Sequence, residues 1–243
     1  MAHHGYDNAA RAELARWQRK MERRPGVLNS ATRGLQQRIN GWIPERVHAA
    51  LTAAIRQMVT GVLAGSNLIA SSPLLEGSLE ARETLVREKI DRYRRTAAIE
   101  GGVTGAGGLL LGLADFPLLL GIKLNLLVEI AALYGHACSE LPERQYLLHI
   151  LQLAFSSDVH RQQVYQQLLA WSATASPGEP HADVDWRLLQ QEYRDYLDLA
   201  KLAQLVPVIG APVGVIVNNR LLEKLGDTAM NAHRLRWFKS ART

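Results

Sequence analysis

The sequence predicts an all-α protein, a single multi-helix domain built around a glycine-rich apolar helical hairpin. Apolar residues recur at intervals of three and four through most of the 243-residue chain, and no convincing run alternates β-branched with polar residues. The hydrophobic fraction of 47% and the charged fraction of 21% are typical of a globular protein with a sizeable core. The third observation is the glycine-rich, almost uncharged segment 101–117.

The first predicted helix lies in a basic N-terminal region. Leu14, Trp17 and Met21 share one helical face, and Pro25-Gly26 ends the helix. We assign residues 1–40 to an N-terminal basic helix and connector, and residues 41–243 to the main all-α domain. Within that domain, a second helix is predicted from Pro44.

Segment 76–95 carries closely spaced charges of alternating sign. Glu83 and Arg87 stand in the i, i+4 order that stabilises a helix. This pattern predicts a solvent-exposed helix that continues directly into the glycine-rich segment.

Glycines dominate that segment and recur near the C-terminus, in the uncharged stretch 202–219. A glycine inside a helix costs about 1 kcal/mol relative to alanine, so a run of them needs a packing reason. Small residues four apart let helix backbones approach closely, either in a protein core or at a membrane. The residues assigned to such close-packing or membrane-facing positions are Gly101, Gly102, Gly105, Gly108, Gly112, Gly210 and Gly214.

A turn is predicted at Asp115-Phe116-Pro117. Proline cannot continue a helix but suits the first turn of a new one, which the preceding aspartate can cap. Residues 97–114 and 117–134 therefore form a helical hairpin or a sharp kink. A span needs about 20 apolar residues, so the first limb is too short, and Lys123 and Glu129 interrupt the second.

Four further elements follow the hairpin. Helices are predicted at 143–154, at 159–171 after a Ser157-Asp158 cap, at 186–205 and at 213–237. Proline and glycine at 177–180 indicate a loop over 172–185.

Charged and polar residues within the apolar helices are the weak candidates for catalysis: Asp115, Lys123 and Glu129. Asp115 and Glu129 are 14 residues apart, which is about 20 Å along one helix and too far for a paired-carboxylate mechanism. The alternative is that these groups are partnered structural residues. A polar pocket near Asp115 and Lys123 would also include Asn125, Asn218 and Asn219.

No cofactor or metal is expected. The glycines lack the preceding strand and the following Lys-Ser/Thr of phosphate-binding loops. His136 and Cys138 supply two of the three or four ligands that a zinc site needs. A single cysteine and the absence of a signal-peptide pattern indicate the cytosol.

The C-terminal segment joins basic and aromatic residues: Arg234, Arg236, Trp237, Phe238 and Lys239. With the net charge of +5, this suits an anionic membrane interface. The alternative is a solvated helix end whose cations complement the dipole and whose aromatics pack inward. No basic run interleaves with aromatics in the manner of an RNA-binding sheet, so nucleic acid is not expected as a partner.

Three ordered segments resemble the bacterial EcsC family: Gly101 to Gly108 with Leu113 to Pro117, then Leu133-Tyr134-Gly135 followed by Pro142-Glu143-Arg144, and Val206 to Ala211 with Gly214 and Asn218. The resemblance covers about residues 45–238. It implies a cytosolic or membrane-peripheral helical protein, since the family is named for a protein encoded beside an ABC transporter. It supplies no catalytic residue.

These observations favour a non-enzymatic protein that associates peripherally with the cytosolic membrane face, through an anionic membrane or a membrane-protein partner. One alternative is a hydrolase acting on a lipid or peptide near Asp115. Another is a protein that binds an apolar small molecule in a cavity between the glycine limbs.

Overall fold

Six helices make up most of the described chain. The computed structural model describes residues 2–23, 53, 56–57, 60–62, 72–104, 116–157, 160–174 and 210–240. The helices are α1 (Ala2–Glu22), α2 (Leu79–Thr104), α3 (Phe116–Leu133), α4 (Leu141–Phe155), α5 (Arg161–Thr174) and α6 (Gly210–Ser240). The regular structure in these ranges is entirely helical, which confirms the all-α prediction.

Prolines mark the helix starts as the sequence indicates. Pro117 and Pro142 lie in the first turns of α3 and α4, where a missing N–H costs nothing. Pro212 lies near the start of α6 (Gly210–Ser240), so residues 210–212, which precede the predicted start near 213, are also helical. Helix α5 continues through Thr174, so the predicted loop is wrong for residues 172–174.

Several predicted features lie outside the described residues. These are the hairpin turn with Gly105, Gly108, Gly112 and Asp115, the rest of the loop at 175–185, and the helix at 186–205. Of the helix predicted after Pro44, residues 53, 56–57 and 60–62 are described, and they are helical.

Helices α2, α3 and α6 form an antiparallel core. Between α2 and α3, Arg82 contacts the carbonyl of Leu133, and Tyr93 contacts Glu129. Between α2 and α6, Glu83 contacts Arg234 and Arg94 contacts Glu223. In each pair one residue number rises as the other falls, so α3 and α6 both run opposite to α2.

Helix α4 is buried on every side. All residues from Gln145 to Phe155 are buried, and the Tyr146 hydroxyl donates to the carbonyl of Ala232 in α6 at 2.8 Å. A helix that is apolar all round belongs in the centre of a domain. The short connection 134–140 places α4 directly after α3.

Helix α1 belongs to the same core. Its predicted face is confirmed, since Leu14 and Met21 are buried and Trp17 packs edge-on against Tyr165 of α5 at 5.5 Å between ring centroids. Burial of one such leucine or methionine stabilises the fold by about 2 kcal/mol. The N-terminal basic helix is therefore packed onto the main domain.

Helices α2 and α6 pack closely at Gly226 of α6. A Cβ atom on this residue would lie 2.5 Å from Cδ1 and 2.7 Å from Cγ1 of Ile90 in α2. The absence of a side chain lets the two helices pack at this point. Sequence reasoning missed Gly226 because it stands alone in a charged stretch, away from the glycine-rich segments.

The charged part of α2 departs from its prediction. Arg82 and Glu83 are 4% and 0% exposed, although we expected a solvated helix here. Leu79, Val86 and Ile90 are buried on the same face. These three apolar residues are spaced by seven and four positions, which places them on one helical face together with Arg82 and Glu83. This apolar spacing predicts a buried face, but the alternating charges of the segment drew attention away from it.

Candidate functional site

A buried ion pair joins α2 to α6. Arg234 Nε donates to Oε1 of Glu83 at 2.7 Å, and Arg234 Nη2 donates to Oε2 at 2.6 Å. Both side chains are almost completely buried. Such a bidentate pair fixes the relative position of the two helices as well as neutralising two buried charges.

Two tyrosines complete the hydrogen bonding of Glu83. The hydroxyl of Tyr134 donates to Oε1 at 2.9 Å, and that of Tyr6 donates to Oε2 at 2.6 Å. Burial acts to raise the pKa of Glu83, but the hydrogen bonds from Arg234 and the tyrosines outweigh it, and the pKa lies below its usual range. Glu83 is therefore an anion that is already saturated with donors.

Arg234 also reaches the N-terminal helix. Its Nη1 donates to Oε2 of Glu13 in α1 at 2.9 Å. Arg87 adds a further link, because its Nη1 donates to the Tyr6 hydroxyl at 2.9 Å. Helices α1, α2, α3 and α6 thus meet at one polar cluster, which we call the Glu83 cluster: Tyr6, Glu13, Glu83, Arg87, Tyr134 and Arg234.

Arg82, the neighbour of Glu83, closes the end of α3. Its Nη1 donates to the carbonyls of Leu133 at 2.7 Å and Leu74 at 2.6 Å, and its Nε donates to Gly77 at 3.1 Å. A helix leaves its last carbonyls without internal partners, and a buried guanidinium supplies one here.

The chain leaves α3 through a Schellman turn at Gly135. The amide of His136 donates to the carbonyl of Ala131, and the amide of Gly135 donates to that of Ala132. Gly135 has φ of +91°, which favours glycine. In the Leu133-Tyr134-Gly135 motif, Gly135 thus caps the helix and Tyr134 donates a hydrogen bond to Glu83.

An aromatic and imidazole stack lies next to the Glu83 cluster. The ring of His233 stacks between those of Tyr134 at 5.0 Å and His136 at 5.3 Å, and Tyr146 meets it edge-on. His233 is 0% exposed, and among the described residues neither ring nitrogen has a hydrogen-bond partner. Burial lowers the pKa of His233 well below its usual value and that of His136 to about 4.

The basic and aromatic residues at the end of α6 require a correction. Arg234 and Phe238 are 2% and 6% exposed, so neither offers an interfacial surface. Arg236 forms a bidentate pair with Glu143 of α4 at 2.6 and 2.7 Å. Trp237 lies under Arg82, with 5.2 Å from the guanidinium carbon to the ring centroid. The aromatics pack inward because α1, α2 and α4 all bring charged partners to this end of α6.

Lys239 is exposed in the last turn of α6. Of the five residues of the proposed interfacial set, Lys239 is fully exposed, Arg236 and Trp237 are partly exposed, and Arg234 and Phe238 are buried.

The candidate catalytic residues are not brought together in the described part of the chain. Glu129 is engaged by α2, with Tyr93 donating to it at 2.9 Å and Lys89 lying 2.5 Å away. Lys123 is buried, and burial lowers its pKa to about 8. Asn125 and Asn219 are partly buried, on α3 and α6. Asn218 lies in α6, and its side chain is outside the described set.

Metal chemistry finds no support in the described residues. No group of three or more histidine, cysteine, aspartate or glutamate side chains lies close enough there to hold an ion. Burial raises the pKa of the Cys138 thiol to about 12, which keeps it protonated and a poor ligand or nucleophile.

Three uncharged helix ends lie on the side of the bundle remote from the Glu83 cluster. They are the last residues of α2 (101–104) and the first residues of α3 (116–122) and α6 (210–219), and they carry no charge. Gly101 and Gly102 lie in the first of them, and Gly210 and Gly214 in the third. Because α3 and α6 run opposite to α2, these three ends lie on the same side of the bundle. We call them the uncharged end.

The lengths of the helices support this placement. Tyr93, Arg94, Glu129 and Glu223 mark one level of the bundle through their mutual contacts. From that level, at 1.5 Å per residue, α2 extends about 15 Å to Thr104, and α3 and α6 each extend about 20 Å. The three tips therefore project to similar heights. Among the residues described here, no helix is both long and apolar enough to cross a bilayer.

Comparison with known proteins identifies the family. The chain matches the EcsC protein family over residues 8–238. It is 39% identical over 228 residues to Protein EcsC of Bacillus subtilis (strain 168), covering 93% of this chain and 94% of that protein. It is 31% identical over 153 residues to the uncharacterized protein YdbA of the same organism, covering 62% of this chain and 56% of that protein. No solved structure gives a significant match.

The match begins at residue 8, whereas the resemblance seen in the sequence began near residue 45. The earlier start agrees with the packing of α1 against α2, α5 and α6, which makes this helix part of the same core. Because the match spans most of the chain, the protein belongs to the EcsC family.

Proposed function

We propose that this protein associates peripherally with a membrane through its uncharged end, in a non-enzymatic role. The observation that carries the proposal is the presence of three uncharged helix ends, rich in glycine and proline, on one side of the bundle. A soluble helical bundle ordinarily covers its helix ends with charged and polar residues, since the terminal backbone groups need partners.

The depth of this end suits an interface. The uncharged part of α2 rises about 6 Å, that of α3 about 10 Å and that of α6 about 15 Å. Interfacial protein segments enter the headgroup and acyl boundary by roughly 5–10 Å, whereas a hydrocarbon core is about 30 Å thick. Insertion of the helix tips alone is the mode that these lengths support.

The opposite end of the molecule supplies the rigid support. The Glu83 cluster joins four helices through charge-assisted hydrogen bonds, and Arg236 joins α6 to α4. Buried charges with saturated hydrogen bonding act as positioning groups, not as reactive ones. In this proposal the cluster holds α2, α3 and α6 in the arrangement that keeps their tips together.

Site-specific labelling tests the proposal. Cys138 is the only cysteine, so Cys138→Ser gives a cysteine-free background. An environment-sensitive fluorophore on Thr104→Cys or on Val213→Cys should shift to the blue when vesicles are added. The same label on Glu80→Cys, at the other end of α2 and exposed, should not respond.

Co-sedimentation of the unlabelled protein provides the independent measurement. We expect the protein to pellet with vesicles of mixed phosphatidylglycerol and phosphatidylcholine. Protein that stays in the supernatant with both neutral and anionic vesicles, at low salt, would contradict the proposal. Binding only to native membranes, abolished when they are treated with protease, would replace lipid with a membrane-protein partner.

A second candidate function is a hydrolase, favoured by Lys123. A buried lysine whose pKa is lowered to about 8 is close to the value that a general base requires near neutral pH. If Lys123 has this role, Lys123→Met should abolish turnover of lipid ester or peptide substrates without lowering the melting temperature. Loss of stability without any measurable activity in the wild type would leave Lys123 as a structural residue. A protein that binds an apolar small molecule between the glycine limbs is the third candidate, tested by native mass spectrometry of the purified protein.

A further inference from the structure

Two exposed arginines lie directly below the uncharged end. Arg92 and Arg95 are separated by one helical turn on α2, and Thr96 is exposed beside them. Neither arginine forms an ion pair with an acidic side chain in the described part of the chain. Arg94 differs, because it reaches Asp91 at 3.4 Å and Glu223 at 3.8 Å. Within the described residues these two cations therefore form no ion pair, although Glu88 and Asp91 lie one turn before them on α2.

These residues line the upper part of a surface hollow of about 580 Å³ on α2. Its lower part carries Glu88, Lys89 and Asp91, with Leu85 and Leu133 as apolar walls. Lys89 is paired with Glu129 and Asp91 with Arg94, so the charge of the lower part that has no ion pair among the described residues is that of Glu88. Positive charge is concentrated in the upper part, on the side nearest the uncharged end.

A third arginine lies at the same height on another helix. Arg95 is nine residues from the tip of α2 at Thr104, and Arg220 is ten residues from the tip of α6 at Gly210. At 1.5 Å per residue these positions are about 14 Å and about 15 Å below the tips. Arg220 is exposed. Helix tips inserted to the acyl boundary would bring both arginines to the level of the headgroups.

We propose that Arg92 and Arg95 form a binding site for the phosphate of an anionic phospholipid headgroup, with Arg220 as a second contact at the same height. The inference rests on the proposed function and names the lipid class. Guanidinium groups bind phosphate through paired hydrogen bonds. The Thr96 hydroxyl donates to the carbonyl of Arg92 at 3.2 Å, so the two guanidinium groups supply the donors. The carboxylate of Glu88 in the lower part of the hollow repels phosphate and so favours its binding in the upper part.

Vesicle binding by matched charge variants tests the site. Arg92→Gln/Arg95→Gln removes two charges at positions i and i+3 of α2. The matched control is Arg16→Gln/Arg19→Gln, which removes two exposed charges at the same spacing on α1. The two double variants therefore have the same net charge. One basic residue near an anionic surface supplies about fivefold in partitioning. The α2 variant should therefore bind phosphatidylglycerol vesicles about 25-fold more weakly than wild type, and the α1 variant should bind within about twofold.

Neutral vesicles separate this inference from the proposed function. With phosphatidylcholine alone, wild type and the α2 variant should bind equally and weakly, through the uncharged end. Wild-type binding that is equal on neutral and anionic vesicles would overturn the inference and leave the membrane proposal standing. No binding to either vesicle would remove both. If the α1 and α2 variants lost the same affinity for phosphatidylglycerol vesicles, the effect would depend on net charge alone, and the proposed site would be wrong.

Soluble phosphate provides the last arm. Glycerol phosphate at millimolar concentration should not bind measurably by calorimetry, because the bilayer supplies the high local concentration of headgroups. Binding of glycerol phosphate without vesicles, lost in the α2 variant, would overturn the assignment to lipid in favour of a soluble ligand. Equal melting temperatures of the three proteins establish that the substitutions leave the fold unchanged.

Discussion

Glu83 of α2 and Arg234 of α6 are joined by two parallel hydrogen bonds of 2.7 and 2.6 Å, although 151 residues separate them in the sequence. The pair is completely enclosed, and Glu13, Tyr6 and Tyr134 attach α1 and α3 to it. Desolvation of two charges offsets much of their attraction, so the pair specifies the arrangement of helices more than it adds stability.

Removal of the charge on Glu83 should be strongly destabilising. Glu83→Gln leaves Arg234 buried without its counter-ion, and breaking a buried pair in this way costs about 3–5 kcal/mol. The free energy of unfolding in urea measures the loss. Glu80→Gln, exposed and one turn earlier in α2, is the control and should change stability by less than about 0.5 kcal/mol.

The partner substitution sharpens this test. Once Glu83 is neutral, Arg234→Met removes a charge that has lost its partner. The double variant should therefore be less destabilised than the sum of the two single variants, with a coupling energy of roughly 1–3 kcal/mol. Additive effects would show that the pair does not act as a unit.

Glycine to alanine should have opposite effects at two positions of the α3 region. Gly135 has φ of +91°, and its Cβ would lie 3.3 Å from the carbonyl oxygen of Leu74, so Gly135→Ala should cost about 1–2 kcal/mol. Gly121 lies within α3, and in the described part of the chain no atom of another element lies within 4 Å of its Cβ position. Gly121→Ala should stabilise by roughly 0.5–1 kcal/mol. Thermal unfolding of the two variants compares them directly, and shifts of the same sign would contradict the description of the turn.

The contact between Gly226 and Ile90 predicts that the effect of Gly226→Ala on stability changes sign when the side chain of Ile90 is shortened. In the wild type, Gly226→Ala places a methyl group against Ile90, and overpacking of about 1–3 kcal/mol exceeds or cancels the gain in helix propensity of about 1 kcal/mol. In an Ile90→Ala background the space is open, and the same substitution should then stabilise. Chemical denaturation of the wild type, the two single variants and the double variant measures this double-mutant cycle. If Gly226→Ala had the same effect in both backgrounds, close packing at this position would be ruled out.

Acid should destabilise the protein below about pH 6.5. Burial lowers the pKa of His136 and His149 to about 4, and that of His233 falls well below its usual value. The neutral forms belong to the folded state, so below pH 6.5 the unfolded chain binds more protons. Each histidine then removes about 1.4 kcal/mol of stability per pH unit until its folded pKa is reached.

His233→Phe isolates one histidine of the three. It should reduce the slope of stability against pH between 6.5 and about 4.5 by roughly one third. At pH 7.5 stability should change by less than about 1 kcal/mol, because the substitution removes two ring nitrogens that have no partner. Urea denaturation at several pH values measures both quantities, and an unchanged slope would contradict the burial of a neutral imidazole.

Local rules predicted the helices well. The Leu14, Trp17 and Met21 face, the first-turn prolines of α3 and α4 and the continuation of α2 into Gly101–Thr104 all follow from spacing and backbone chemistry, which a single sequence contains. The family could also be identified from the sequence. Its motif at 133–135 includes Gly135, whose positive φ forms the turn that caps α3.

The polar cluster could not be predicted, because its contacts are long-range. Glu83 looks like one more charge in an alternating run, and its burial depends on Arg234, which itself looked like part of a solvated tail. Only the packing of α6 on α2 brings them together. The same packing buries Phe238 under Arg11 of α1, with 4.0 Å from the guanidinium carbon to the ring centroid.

The bond between Glu13 and Arg234 also bears on the order of folding. It closes a loop of 221 residues, for which the chain entropy alone costs about 5 kcal/mol. That cost is recovered only once α6 already lies on α2, since Arg234 must be held in place by Glu83. We therefore expect α1 to dock last, onto a preassembled surface. Substitutions in its apolar face, such as Leu14→Ala, should then accelerate unfolding while leaving the refolding rate almost unchanged.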